Sequence, residues 1–411
     1  MKTSLAIFLC LLFLTLSVYA QSINDVKLIV EAGRYDRKNC VVSTSVLNFS
    51  SEQVTLFEEV GRKKVKVDCQ LQREGDKTTL YWILKGDTPA GSIRSFILKS
   101  AKKKKNENLM VVDESNGILV LKANEQPILQ YNSQIIYPPK GVDSAFKRSG
   151  FVHPVYSPSG NVLTNIQPKD HYHHYGMWNP WTRVEYAGKM YDLWNLGDKR
   201  GTVKFNKVLD KQQGDVFASF KVRQDHYIMS PSGEKQIMDE SCSITAYNIG
   251  DDFLWDFKST LHPNTSLPVI LKAYRYAGFS FRATADWKKE NCEMFTSEGN
   301  KRQEIDGKNA RWIYLTGQCP SGRSGILFLG HPENHNAPEP LRIWDENANY
   351  GRGDAFVNFA PTKNEDWALE PDQNYSLRYR MITYDGEMTQ ERANRLWDEF
   401  AYPPTVQILI D

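Results

Sequence analysis

Short runs of alternating apolar and polar residues recur along the chain and predict β-strands. In residues 216–222 every second side chain is apolar, and Phe253, Trp255 and Phe257 form one apolar face of the next long run. A strand with this pattern buries one face and leaves the other polar. Breaks rich in Gly, Asn, Asp and Pro separate the runs, which favours antiparallel strands. Further strands are predicted over residues 65–71, 79–84, 326–329 and 376–383.

One segment near the C-terminus has helical periodicity instead. Its apolar residues recur at i, i+3, i+4 and i+7, after Thr389, a residue type that caps helix N-termini. Pro403 and Pro404 follow the segment and end the helix. The apolar positions are Ala393, Leu396, Trp397 and Phe400. The chain is therefore predicted to be mostly β, with one C-terminal helix packed on the outside of a sheet.

The length of the chain and the spacing of its strands predict two structural units. About 390 residues follow the first twenty, which is more than one small domain needs. Residues 21–125 carry the shorter runs and predict a small N-terminal β unit. Residues 126–411 carry longer, more aromatic runs and predict an antiparallel β-sandwich domain, which also contains most of the candidate chemistry described below.

The first twenty residues have the pattern of a secretory signal peptide. Lys2 supplies a positive charge, an apolar run follows over residues 5–18, and Ala20 is a small residue at the expected cleavage point. The run is too short for a comfortable membrane span, and no other stretch approaches about 18 apolar residues. We therefore expect an exported protein, periplasmic or extracellular, whose mature chain begins at Gln21. An uncleaved anchor is the alternative.

Charge and motif content exclude several classes of function. With 51 basic and 49 acidic residues, nothing steers the chain toward nucleic acid, and the basic block 102–105 is interpreted as a solvated loop. No phosphate loop, serine-hydrolase elbow or zinc-protease helix motif occurs. Two sequence-near disulfides are conceivable, although spacing cannot establish connectivity. The pairs are Cys40 with Cys69 and Cys292 with Cys319.

The densest candidate chemistry is a histidine trio, defined as His171, His173 and His174, directly after Asp170. On an extended chain His171 and His173 point to the same side, so they could bind a divalent metal with a third ligand from elsewhere. They could instead supply a general acid or base, because histidine titrates near neutral pH. A polar turn with purely structural histidines is the third interpretation. No other cofactor is indicated.

Aromatic and cationic residues near the trio suggest a carbohydrate ligand. Exposed tryptophans stack on sugar rings, whereas a sandwich core would bury Trp178 and Trp181. Residues 272–276 offer cationic and phenolic groups suited to a carboxylate or to several hydroxyls. The catalytic candidates are His153, His171, His173, His174 and Glu339. The substrate-binding candidates are Tyr156, Trp178, Trp181, His262, Lys272, Tyr274, Arg275, His331 and Arg342.

We expect histidines from several strands and loops of the large domain to meet in one pocket. Loops at one end of a sandwich come together in space, so His153, the trio, His262 and the loop after His331 are predicted to converge. Replacing His173 by alanine should then abolish turnover without changing stability. His226 has no other reactive neighbours in sequence, and its replacement is expected to have little effect.

These motifs resemble those of the DUF6807 family of bacterial proteins, whose members often carry the label "methane oxygenase PmoA". The resemblance implies an exported β-sandwich from a sugar-processing setting, similar by analogy to the galactose mutarotase supersandwich. It also implies functional weight at His153, His331 and the trio. Tyr172 and Tyr175 depart from the residues typical of relatives, which puts the substrate in doubt. The matching segments are residues 148–160, 170–176, 278–285, 296–299, 310–312, 330–332 and 377–380.

Three hypotheses about function follow from these residues and the resemblance. The first is a carbohydrate-active enzyme that acts on a glycoside by hydrolysis, elimination or epimerisation, with histidine and carboxylate groups as acid and base. The second is a non-catalytic glycan-binding protein whose aromatic residues form a stacking platform. The third is a metal-dependent oxygenase, which only the family label favours. A methane oxygenase membrane subunit needs several membrane spans, and the sequence predicts none in the mature chain.

Overall fold

The computed structural model describes residues 25–46, 53–101 and 109–409. The predicted signal peptide and the basic block 102–105 lie outside these residues. Strands dominate the described chain and pair antiparallel throughout, which confirms the predicted mostly β fold. No helix in the described ranges is long and apolar enough to cross a membrane.

The strands are numbered in chain order. The first fourteen are β1 Asp25–Glu31, β2 Arg37–Ser45, β3 Val54–Val60, β4 Lys63–Val67, β5 Cys69–Glu74, β6 Lys77–Thr88, β7 Ile93–Ser100, β8 Met110–Ser115, β9 Ile118–Ala123, β10 Gln126–Asn132, β11 Phe151–Val155, β12 Met177–Trp178, β13 Val184–Tyr186 and β14 Lys189–Tyr191. The remainder are β15 Gly201–Gln212, β16 Phe217–Ser230, β17 Gly233–Tyr247, β18 Phe253–Pro263, β19 Val269–Leu271, β20 Ser280–Arg282, β21 Cys292–Thr296, β22 Trp312–Cys319, β23 Gly322–Gly330, β24 Leu341–Ile343, β25 Phe356–Phe359, β26 Trp367–Leu369, β27 Tyr375–Asp385 and β28 Thr405–Leu409. The helical elements are α1 Ala348–Gly351, α2 Gln390–Ala401 and three short 3-10 turns, Ser144–Phe146, Leu196–Asp198 and Arg302–Glu304.

The first seven strands and the last one form a small N-terminal sandwich. One sheet has the order β28-β1-β7-β3-β4 and the other the order β2-β6-β5. Alternate residues of β1, such as Leu28 and Val30, are buried between them with Trp82 and Phe96. Period-two burial is what a strand with one core-facing side produces.

The division between the two sandwiches differs from the predicted one. β8 and β9 pair with each other and with β10, all within the large sandwich. The boundary therefore falls between Ser100 and Met110, and not near residue 125. In addition, β28 returns the C-terminal end of the chain to β1. An alternating pattern predicts a strand but does not identify its partner, so the sequence could not place these strands.

Two eight-stranded sheets form the large sandwich. Their orders are β24-β25-β20-β12-β11-β10-β9-β8 and β15-β16-β17-β18-β27-β23-β22-β21, and a four-stranded sheet, β14-β13-β19-β26, completes it. The apolar face predicted for residues 253–261 is confirmed, because Phe253, Trp255, Phe257 and Leu261 are all buried in the main core.

The predicted C-terminal helix is confirmed as α2. The Thr389 hydroxyl accepts a hydrogen bond from the backbone N–H of Arg392 at 3.1 Å, which satisfies one of the free N–H groups of the first turn. Ala393 and Trp397 are buried in a cluster that also contains Ile83 of the small sandwich. The helix thus packs at the junction of the two sandwiches.

None of the five cysteines among the described residues forms a disulfide. The two sequence-near pairings, Cys40 with Cys69 and Cys292 with Cys319, are therefore not made. Cys242, predicted to be a buried strand residue, is fully buried in β17. Burial raises the pKa of the Cys292 thiol to about 12, so this thiol is protonated and unreactive.

Candidate functional site

The histidine trio lies in a compact loop that leads into β12. The backbone N–H of His171 bonds to the carbonyl of Pro168 at 2.9 Å, and the N–H of His174 bonds to that of His171 at 3.0 Å. These turns correct the extended chain that the sequence suggested for this segment. The three rings consequently form a cluster, with centroid separations between 4.8 and 5.4 Å.

A glycine fixes the loop against the sheet. Gly176 has a left-handed backbone with φ of 59°, and a Cβ at this position would lie 2.4 Å from the carbonyl oxygen of Val152. Only glycine allows both the conformation and this approach of β12 to β11. The close contact of Gly176 with β11 therefore fixes the position of the loop that carries the trio.

The trio borders a cavity of about 420 Å³, here called the histidine cavity. Aromatic rings form much of its wall: Trp344 packs against His171 with centroids 4.8 Å apart, and Phe356 stacks on His174 at 5.1 Å. The cavity is lined by His171, His173, His174, Trp194, Asn195, Arg275, Tyr276, Arg342, Trp344, Ala348, Asn349 and Phe356. Its volume lies within the usual range of about 300–1,000 Å³ for small-molecule sites.

His171 is oriented by a carboxylate. Its Nδ1 lies 2.7 Å from Oδ2 of Asp170, and that oxygen also lies 3.0 Å from Nη2 of Arg352. Burial alone would raise the pKa of Asp170, but the hydrogen bond from His171 and the charge of Arg282 lower it well below the usual range. Because a charged carboxylate only accepts hydrogen bonds, Nδ1 of His171 is the donor, and Nε2 is left for another partner.

The other two histidines of the trio are neutral near pH 7. Burial, reinforced by the neighbouring His171, lowers the pKa of His173 to about 4. Burial also lowers the pKa of His174 well below its ordinary value, and its Nδ1 has no hydrogen-bond partner in the described part of the chain. Of the three, His171 alone has a carboxylate as its hydrogen-bond partner.

An ion-pair network lies behind Asp170. Asp354 accepts from Arg352 at 2.7 Å and contacts Arg282 at 3.5 Å. Arg282 is buried, and its guanidinium packs 4.7 Å from the centre of the Trp344 ring. The charges are thus paired with one another, so Asp170 is fixed in position and is not free to act as an acid.

Five predicted site residues do lie together: the trio is joined by Arg275, from the loop before β20, and by Arg342 of β24. Tyr276, from the predicted segment 272–276, also lines the cavity, whereas Asn195, Asn349, Trp344 and Phe356 were not predicted. Trp344 and Phe356 gave no signal, because an apolar residue next to or within a strand is indistinguishable from a core residue until the pairing is known.

The two tryptophans proposed to stack on sugar are not available for that role. Trp181 is fully buried in the main core, where its ring packs against Trp367. Trp178 lies behind His174, with the two ring centroids 5.3 Å apart, and is 2 % exposed. Trp178 belongs to β12 and Trp181 follows that strand, and both side chains are buried.

The single pocket predicted for His153, the trio, His262 and the loop after His331 does not form. His153 bonds to Thr164 at 2.9 Å through Nδ1 and does not line the cavity, while His331 packs against Phe400 of α2 at 5.1 Å. His262 lies in β18 opposite Asp239. Each belongs to a different strand or loop of the sandwich, and these strands and loops do not bring the three histidines to the histidine cavity.

The remaining predicted binding residues also lie outside the cavity lining. Lys272 is paired with Asp366 at 2.5 Å, so its charge is already balanced. Tyr274 packs under Arg183 at 4.2 Å, and Tyr156 pairs with Val162 across a tight turn. These contacts explain the three residues without a ligand.

Glu339, predicted to be catalytic, is a buried core carboxyl. It accepts hydrogen bonds from the Tyr379 hydroxyl at 2.6 Å and from Asn334 at 3.0 Å, and it does not line the cavity. Burial raises its pKa to about 7, although both hydrogen bonds act in the opposite direction. The carboxyl group therefore forms hydrogen bonds inside the fold and does not face the cavity.

Replacing Glu339 by glutamine is expected to reduce the pH dependence of stability. A folded pKa of about 7 against an ordinary value of 4.5 means that this group stabilises fully at low pH, and that the contribution is lost as pH rises through 7. The glutamine variant should gain roughly 3 kcal/mol relative to the wild type between about pH 4.5 and pH 8.5. Denaturant unfolding at both pH values measures this, with exposed Glu333→Gln as control. Parallel pH profiles for wild type and Glu339→Gln would contradict it.

A larger cavity of about 710 Å³ borders the turn Leu196–Asp198. Its charged wall residues include two ion pairs, Lys199 with Asp143 at 2.8 Å and Lys204 with Glu234 at 2.5 Å. No histidine lines it. The histidine cavity is therefore the better candidate for acid–base chemistry.

The proposed metal pair, His171 and His173, is close together, with ring centroids 5.4 Å apart. Nδ1 of His171 is occupied by Asp170. Across residues 25–46, 53–101 and 109–409, no group of three or more His, Cys, Asp or Glu side chains is arranged to hold a metal ion.

Comparison with known proteins identifies one matching family. The family described as "Family of unknown function (DUF6807)" matches residues 119–398. No characterised protein sequence matches significantly. The family match covers the whole of the histidine cavity.

Several solved structures are similar at low identity. A protein in the glycosyl hydrolase family 38 from Enterococcus faecalis is 10 % identical with a TM-score of 0.47, and covers 95 % of this chain and 48 % of its own. An alpha-mannosidase from Enterococcus faecalis V583 is 10 % identical with a TM-score of 0.44, over 95 % and 46 %. A galactose mutarotase related enzyme from Lactobacillus acidophilus is 10 % identical with a TM-score of 0.35, over 68 % and 100 %. The chain spans about half the length of the two Enterococcus proteins. Values this low assign no activity to it.

Proposed function

The chain belongs to the DUF6807 family, and from this premise we propose that it is an exported carbohydrate-active enzyme that moves a proton at a sugar carbon. The carbon is next to a carbonyl or carboxylate group, and His171 is the base. The observation that carries the proposal is the 2.7 Å contact of His171 with Asp170 at the wall of a cavity of sugar size.

The composition of the cavity favours proton abstraction over glycoside hydrolysis. Most glycoside hydrolases need two carboxyl groups that flank the scissile bond. No Asp or Glu lines the histidine cavity, and Asp170 behind it is held by His171 and Arg352. A histidine hydrogen-bonded to a carboxylate is instead suited to taking a proton from carbon.

The reaction balances with the groups present. Nε2 of His171 takes the proton, and the electron pair of the C–H bond forms an enolate with the adjacent carbonyl or carboxylate group. Delivery of a proton from solvent water to the opposite face gives an epimer, and His171 then releases its proton to water. Departure of a glycosidic oxygen from the next carbon, with its bonding electrons and the proton from His171, gives a carbon–carbon double bond. Asp170 stabilises the imidazolium in both cases, and neutral His173 can donate a hydrogen bond to the enolate oxygen.

A glycan-binding function is the second candidate, and Tyr350 favours it. This residue follows Asn349 of the cavity wall and has a fully exposed ring. Its backbone is left-handed with φ of 61°, which is unusual for a tyrosine. An exposed ring beside a cavity can stack on a sugar without any catalysis.

Solvent exchange tests the proposed chemistry directly. The protein is incubated in D2O with aldoses, ketoses and uronic acid glycosides, and the sugars are analysed by mass spectrometry and NMR. We expect deuterium at the carbon next to the carbonyl or carboxylate group of one sugar class, with a chelator having no effect. Binding without exchange would favour the glycan-binding function, and exchange lost on chelation would favour a metal-dependent reaction.

A further inference from the structure

The charges of the histidine cavity point to an anionic ligand. Two arginines, Arg275 and Arg342, line it, and no Asp or Glu does. A cavity lined by permanent positive charge alone attracts negative groups and rejects cations. A neutral sugar needs no such charge, so the excess of positive side chains in the lining indicates a negatively charged substrate.

The two arginines are not equivalent. Nη1 of Arg342 lies 2.8 Å from Oδ2 of Asp306, so its charge is already paired. Arg275 is exposed and makes no ion pair or hydrogen bond with any residue in the described ranges. Its guanidinium packs against the rings of Tyr276 at 5.5 Å and Tyr274 at 5.8 Å. Arg275 is therefore an oriented cation without a partner at the edge of the cavity.

We propose that the substrate is a sugar acid, and that Arg275 binds its carboxylate. This inference rests on the proposed proton abstraction by His171 and names its substrate class. The planar guanidinium forms two parallel hydrogen bonds with a carboxylate, which fixes the orientation of the sugar. One unpaired guanidinium suits a carboxylate better than a phosphate, which carries more charge and more acceptor oxygens.

The same contact assists the reaction. A proton next to a carboxylate is difficult to remove, because the enolate that forms concentrates a second negative charge on the two oxygens. A cation on those oxygens is worth more in the transition state than in the ground state, since the charge is developing there. Arg275 thus selects the substrate and lowers the barrier to the step that His171 performs.

Calorimetric binding tests the substrate class. Methyl glycosides of glucuronate and galacturonate are compared with those of glucose and galactose and with a sugar phosphate. We expect a uronate to bind at least about tenfold more tightly than its neutral partner, as a charged hydrogen bond implies. Arg275→Gln should remove this preference, whereas Arg183→Gln should keep it. Arg183 is also exposed and packs on Tyr274, but it does not line the cavity.

The outcomes separate this inference from the proposed function. Equal binding of neutral and acidic sugars, preference for the phosphate, or an unchanged preference in a folded Arg275→Gln variant overturns the sugar-acid assignment. Uronate binding that depends on Arg275, without any deuterium exchange in the wild type, supports the substrate class and refutes the proton-transfer chemistry. Thermal unfolding of both variants shows that each is folded.

Discussion

Replacement of His171 by alanine is expected to slow deuterium exchange by about 10²–10⁴-fold, the usual contribution of a positioned general base. Its melting temperature should stay close to that of the wild type. The side chain lies at the cavity wall, and Asp170 keeps its contacts with Arg282 and Arg352 when the imidazole is removed. Exchange is measured by mass spectrometry and stability by calorimetry on the same samples.

Asp170→Asn and His335→Ala provide the matching comparisons. The amide of asparagine can present its NH2 group to Nδ1 and favour the wrong tautomer, so exchange should fall while binding is retained. His335 is stacked on Trp367 with centroids 4.3 Å apart, outside the cavity, and its loss should not change exchange. A wild-type rate in His171→Ala, together with a large loss in His173→Ala, would move the base to His173.

Local periodicity predicted many of the elements but not their assembly. The single strand predicted over residues 65–71 is two strands, β4 and β5, which belong to different sheets. The alternating run 253–261 and the helical spacing around Leu396 each have one dominant period, and each forms the predicted element. The partner of a strand is set by contacts far away in sequence. For that reason β28 joins β1 of the small sandwich, although nothing local in residues 405–409 indicates it.

The candidate site was recognisable where its residues are neighbours in sequence. The trio and Asp170 form a cluster because tight turns bring their side chains together over five positions. Arg275 and Arg342 were also selected, for their chemistry, and they do line the cavity. The sequence did not show whether an aromatic side chain faces the core or the solvent. A tryptophan such as Trp181 has the same sequence pattern in a core as on a surface that binds sugar.

The partner of a buried polar side chain is also set by contacts far away in sequence, as the buried contact of His226 with Glu240 shows. His226 lies in β16 and is completely buried, and its Nε2 is 3.0 Å from Oε2 of Glu240 in β17. The partner is separated by the turn of a hairpin, so the neighbours of His226 in sequence gave no indication of it. The expectation that His226 tolerates replacement rested on its having no reactive neighbours, and the contact with Glu240 removes that reason.

His226→Ala is expected to destabilise the fold by about 3–5 kcal/mol, the cost of leaving the buried Glu240 carboxylate without its hydrogen-bonded partner. Burial would raise the pKa of Glu240, and the hydrogen bond from His226 holds it below its ordinary value. Without that donor the carboxylate keeps only its contacts with Asn179 and Ser259 and must be protonated or pay for desolvation. The loss should therefore shrink as pH falls, and denaturant unfolding at several pH values measures it.

The double variant His226→Ala, Glu240→Gln isolates the charge. Glutamine removes the buried negative charge while its carbonyl can still accept from Asn179 Nδ2, now 2.9 Å from the carboxylate. It should recover part of the lost stability, because no uncompensated negative charge is then left buried. His262→Ala in the neighbouring strand has no such partner to abandon, since its Nδ1 makes no hydrogen bond within the described residues, and should cost much less. Equal stability losses for His226→Ala and His262→Ala would show that the pair with Glu240 contributes nothing beyond packing.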